Sequence, residues 1–186
     1  MIGTQPASTL PPLDYRYALD AALATVGAAP LAICRADELR DAVEQRVARG
    51  EAGPGGLWIE PDARGWHEDL AAFARALAPG APLAIVMSLP LARLLPERRG
   101  WGGAPLGLRG AGAGQLIDAL APAGFTLRAR HGVHSLASIV LQALSRRAGQ
   151  PDLADRLYFA ARLRYRAEGR SAGLAAVALL IADKNG

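Results

Sequence analysis

The stretch LWIEPDARGWHEDLAAFARALAPGAPLAIVMS, residues 57–88, reads as two strands with a helix between them. Residues 57–60 are a short apolar run that follows the turn residues 53–56 and ends at the loop 61–65. Trp66, Leu70, Phe73 and Leu77 then recur at spacings of 4, 3 and 4, which is one face of a helix predicted over 66–78. Pro79-Gly80 turns the chain into residues 83–88, LAIVMS. Such a continuous apolar run is typical of a strand covered on both faces.

Upstream, residues 1–13 with Pro6, Pro11 and Pro12 read as an irregular leader. A helix is predicted from Asp14 to about Val26, stopping at Gly27 and Pro30, and a four-residue strand follows at 31–34. The segment from Asp37 to Gly50 carries acids in its first turn, arginines in its last and glycine at its end, the pattern that satisfies a helix dipole and its C-cap. Strand, helix, strand, helix, strand at this spacing predicts a parallel sheet with right-handed crossovers.

Downstream, 90–110 is a basic connection rich in glycine and proline. A helix is predicted over 115–122 and an alternating strand over 125–131. Further helices are expected over 135–148 and from Asp152 to about Gly169, and residues 174–182 are read as a final strand.

Composition narrows the class. The 186 residues suit one domain, expected over 14–186, and the chain is long enough to bury a real core. A 51% hydrophobic share and a mean hydropathy of +0.14 argue against disorder. The longest apolar stretch, 172–182, is about half of the roughly 20 residues that cross a bilayer, so no membrane partner is expected. The N-terminal residues lack a basic patch before an apolar segment, and a lone cysteine, Cys34, closes no intrachain disulfide. A cytoplasmic protein is the resulting expectation. Charge is lopsided: residues 1–89 carry a balance of −4 and residues 90–186 of +8, with Lys184 the only lysine.

Three stretches, 57–88, 116–132 and 173–184, together resemble the C-terminal half of a class I S-adenosylmethionine-dependent methyltransferase. That family turns into its fifth strand through L-x-P-G-G-x-L-x-I, and here the turn runs from Leu77 through Pro79-Gly80 to Ile85. Ala123-Gly124-Phe125 matches the opening of its sixth strand, and Ala182-Asp183-Lys184 the tail of its last. The resemblance implies an α/β, three-layer Rossmann-like fold with a mostly parallel sheet of about five strands. Helices would cover both faces, with a helical insertion before the last strand.

The departure from the family lies at the cofactor site. The resemblance implies a glycine-rich turn after the first strand, where bare backbone lets the ligand approach. Residues 31–34 run instead into Arg35-Ala36-Asp37-Glu38, with no glycine. The second and third strands have no room, so the acid that holds the cofactor ribose has no counterpart. No cofactor is therefore expected.

Candidate site residues follow from topology, because open α/β sheets bind ligands beyond the carboxyl ends of their strands. Cys34, Arg35, Asp37, Glu60, Asp62, His67 and Ser88 fall there as cleft-lining residues; carboxylate and imidazole together could transfer protons. The alternative for this region is plain helix initiation by Asp62 or Asp69, with Trp66 packed beneath. Gly110, Gly112 and Gly114, with Arg109, could hold an anion at a helix start, although a flexible loop is the preferred reading. No metal site is expected, since His131 and His134 have no Cys, Asp or Glu nearby in sequence.

The expected function is a degenerate, non-catalytic methyltransferase-like module for binding, regulation or assembly, with a protein partner or a second copy. The first alternative is a working methyltransferase that seats S-adenosylmethionine on the turn 110–114. The second is binding of nucleic acid or another anionic polymer through the basic half, where Arg162 and Arg166 would share a helix face.

Overall fold

The computed structural model describes residues 13–27, 30–35, 37–48, 55–94, 112–135, 140, 144, 147–150, 165–168 and 175–186. In chain order they form α1 (Leu13–Val26), β1 (Leu31–Cys34), α2 (Asp37–Ala48), β2 (Gly56–Ile59), α3 (Trp66–Ala76) and β3 (Pro82–Ser88). A 3-10 turn at Pro90–Leu94 follows, then α4 (Ala113–Leu120), β4 (Phe125–Ser135), β5 (Tyr165–Glu168) and β6 (Ala175–Lys184).

All six strands join one sheet in the order β1-β2-β3-β6-β4-β5. The first three pair in parallel. β6 inserts antiparallel between β3 and β4, and β5 pairs antiparallel with β4 at the far edge. β1 to β4 thus point one way, and β5 and β6 the other. The α/β class and the helices on both faces are as expected, and the apolar run near the C-terminus is indeed a strand. Central β6 is buried from Ala175 to Ala182 and paired on both sides, which is why its sequence is apolar without alternation.

Two expectations are corrected. Tyr165–Glu168, expected at the end of a helix, is β5, which makes the sheet of about five strands one of six. It pairs with the outer half of β4, which runs four residues past its predicted end. A pairing partner distant in sequence decides the conformation here, over local helical periodicity. Residues 140, 144 and 147 are helical, within the span predicted as 135–148. Most of the segment predicted as a helix from Asp152 lies outside the described residues.

The sheet alternates its side chains between two cores. Leu57, Ile59, Ala84, Val86 and Leu179 meet α1 and Val43 of α2. Trp58, Ile85, Met87 and Leu180 meet Leu70 and Phe73 of α3 and Leu116 and Leu120 of α4. The second correction follows from this arrangement. The connections β1-α2-β2 and β2-α3-β3 step the same way across the sheet, yet their helices lie on opposite faces. They therefore have opposite hands, and one is left-handed against the strong general preference.

Backbone contacts hold the start of the parallel strands together. Gly55 donates its N–H to the Val26 carbonyl at 3.1 Å and accepts from Leu31 N–H at 2.9 Å. A Cβ there would lie 2.6 Å from the Pro82 oxygen, so only glycine fits between α1, β2 and β3. At the other end of the motif, Gly80 N–H donates to the Lys184 carbonyl at 2.8 Å and Lys184 N–H to that of Ala81 at 3.0 Å. The Pro-Gly turn before β3 is thereby tied to the tail of β6.

Candidate functional site

Because β1, β2 and β3 are parallel, Cys34, Ile59 and Ser88 end at one edge of the sheet. Glu60, the residue after β2, adopts a left-handed backbone with φ of 50° and is buried. That conformation is costly for a side chain larger than glycine, and it reverses the chain at the strand end. Glu60 N–H donates to the Val86 carbonyl at 2.9 Å. Its carboxylate oxygen Oε1 accepts from Ser88 N–H at 2.9 Å and from Ser88 Oγ–H at 2.7 Å. Charge-assisted bonds of this kind offset both the burial of the carboxylate and the backbone strain.

Arg35, the residue after β1, reaches to α3. Its Nε–H donates to Asp69 Oδ2 at 2.9 Å, and a terminal N–H donates to Oδ1, a bidentate ion pair. The Asp69 side chain is 5% exposed and that of Arg35 46%. The hydrogen bond to the carboxylate raises the Arg35 pKa above the ordinary arginine value, against the opposing effect of desolvation. Asp69 sits on the buried stripe of α3, three residues after Trp66 and four before Phe73. A charge on an apolar stripe is the signal that marks it, and reading it only as a helix starter misses the ion pair.

The structure brings Glu60 and Ser88 into contact and sets Arg35 at the neighbouring strand end. Cys34 is half-buried against the core beneath α1 and α2. Asp62 is exposed and accepts a long bond, 3.4 Å, from Arg64 N–H. His67 is exposed and stacks on Trp66 with ring centroids 3.5 Å apart. No described hydrogen bond joins either residue to Glu60 or Ser88. Asp37 opens α2, and its side chain lies outside the described residues.

In the glycine run, Arg109 and Gly110 lie outside the described residues. Gly112 caps the N-terminus of α4, and its N–H donates to the Gln115 side-chain oxygen at 3.1 Å. That amide already has an internal acceptor, and a Cβ at Gly114 would meet nothing within 4 Å. Among the described residues, no three His, Cys, Asp or Glu side chains gather as a metal site, and no helix is long and apolar enough to cross a membrane.

A groove of about 510 Å³ lies beside these strand ends, along the outer edge of β1 and against α2. Residues 32–35 form one side of it, and Arg40, Val43, Glu44 and Val47 the other.

No protein-family model matches the chain, and no curated protein matches it. Solved structures do. A structure from Thermotoga maritima, described as a SAM-dependent methyltransferase and possible histamine N-methyltransferase, superposes with a TM-score of 0.52. It is 13% identical over 93% of this chain and 92% of its own. The cyclase SpnF gives a TM-score of 0.44 at 14% identity, over 92% of this chain and 79% of its own. The cyclopropane synthase MmaA2 from Mycobacterium tuberculosis gives 0.38 at 17%, over 97% and 90%. The first superposition carries the conclusion that the chain has a class I methyltransferase-like fold.

Proposed function

We propose that the chain is a methyltransferase-like domain that does not seat S-adenosylmethionine and serves as a binding or assembly module. The observation that carries this reading is the Arg35–Asp69 ion pair. The family resemblance puts a bare-backbone turn after the first strand. In this chain the first residue beyond β1 is an arginine whose guanidinium crosses to α3. That guanidinium, held by Asp69, occupies the space that a bare-backbone turn would leave to the cofactor. Glu60 and Ser88 supply no substitute anchor, because the acid is buried and its Oε1 is bonded to Ser88. The residues present do not fit the group, and no methyl-transfer step is derived through it.

Thermal unfolding with and without saturating S-adenosylmethionine tests the reading. A ligand at about 1,000 times its Kd adds roughly 4 kcal/mol and raises Tm by several degrees. The proposal expects no rise. A rise that Gly112→Trp abolishes would favour methyl transfer through the turn at 110–114 instead.

A further inference from the structure

The groove beside β1 runs along residues 32–35 of a strand with a partner on one side only among the described residues. Among the described residues β1 pairs with β2 alone and ends the sheet. Leu31 and Arg35 donate their N–H groups to the carbonyls of Gly55 and Ile59, so the odd-numbered residues face β2. Strand geometry then turns the N–H and C=O of Ala32 to the open side. All four residues 32–35 line the groove along this edge, under the wall formed by α2. Exposed strand edges are templates for a further strand, and extended segments bind to them through main-chain hydrogen bonds.

The wall identifies the occupant. Arg40 and Glu44 lie one helical turn apart and face the same groove, with Val43 and Val47 beside them. An antiparallel copy of such a helix sets arginine against glutamate twice, so the surface is complementary to itself under a two-fold axis. In the strand the outward-facing residues 32 and 34 flank Ile33, so an antiparallel pairing of two copies has its axis there.

We propose that two copies of this chain join edge to edge through β1, antiparallel about Ile33, and continue the sheet into twelve strands. Ala32 N–H of each copy donates to the Cys34 carbonyl of the other, and Arg40 of each α2 faces Glu44 of the other. This names the partner for the assembly reading above and rests on that reading only for its purpose. Cofactor binding is a separate measurement, so either claim can fail alone.

Light scattering coupled to size exclusion over a concentration series tests it on the full chain. The expected result is a concentration-dependent dimer. Ala32→Pro removes the outward N–H but leaves the Leu31 and Arg35 bonds to β2, and it should yield monomer. Glu44→Arg sets like charges together and should raise the dimer Kd at least about tenfold. Adding Arg40→Glu to Glu44→Arg restores opposite charges and should restore the dimer. Being confined to the surface, this pair of variants does not depend on the strand tolerating proline. A wild-type chain that stays monomeric at every concentration, or a dimer indifferent to these variants, overturns the proposal.

Discussion

Arg35 and Asp69, 34 residues apart, meet where β1 ends and α3 begins, and together close that corner of the sheet. The carboxylate is almost fully buried while the guanidinium is half in water. Each partner therefore carries a different share of the energy. Truncating the arginine strands a buried acid, whereas the ion pair itself is screened on its solvent side.

Arg35→Ala should consequently lower unfolding free energy by about 1 kcal/mol, toward the small end of the range for an orphaned acceptor. Because the folded-state pKa of Arg35 is raised, its contribution is present below the unfolded pKa and is lost only as pH rises through the folded one. Both values lie beyond the usual alkaline range. Urea melts of wild type and Arg35→Ala should hence differ by the same amount at neutral and moderately alkaline pH.

Glu60 combines a left-handed backbone with a carboxylate that anchors Ser88. Glu60→Gly and Glu60→Ala both lose the anchor, but only glycine accepts φ of 50° without strain. Glu60→Gly should be the more stable of the two by about 1 kcal/mol, the reverse of the order in ordinary helices and strands. Ser88→Ala removes only the hydroxyl bond and should cost about 1–2 kcal/mol. Equilibrium denaturation of the three variants gives the ranking.

Trp58 is fully buried and packs on Phe73 with centroids 5.6 Å apart, yet its indole N–H has no acceptor among the described residues. Trp58→Phe removes the orphaned donor while keeping an aromatic in place, so it should cost less than about 1.5 kcal/mol. Trp58→Ala opens a cavity and should cost about 3–5 kcal/mol. Thermal melts of the two variants separate these effects.

Gly55→Ala should be among the most damaging single changes in the molecule. Its Cβ would press on the Pro82 carbonyl and on Val26, neither of which can yield without moving β3 or α1. A loss of about 3 kcal/mol or more is expected from overpacking against backbone, read by the same melts.

The parallel half of the sheet is legible in the sequence because each element there has a local signature. The apolar stripe of Trp66, Leu70, Phe73 and Leu77 and the unbroken run at 83–88 leave few alternatives. β5 is not legible, since nothing within Tyr165–Glu168 tells of its pairing with β4. The topological rule places Arg35, Glu60 and Ser88 at one edge. It does not foretell that Arg35 turns to Asp69, because that contact depends on how α3 docks. The reversed hand of one crossover is likewise hidden: Val43 and Phe73 look equally apolar in sequence and take opposite faces only in the fold.

The central claim is that the corner closed by Arg35 and Asp69 seats no sulfonium cofactor, and isothermal titration with S-adenosylmethionine measures this most directly. The account predicts no saturable heat for the wild-type chain. A saturable isotherm with a micromolar Kd for the wild-type chain would contradict it.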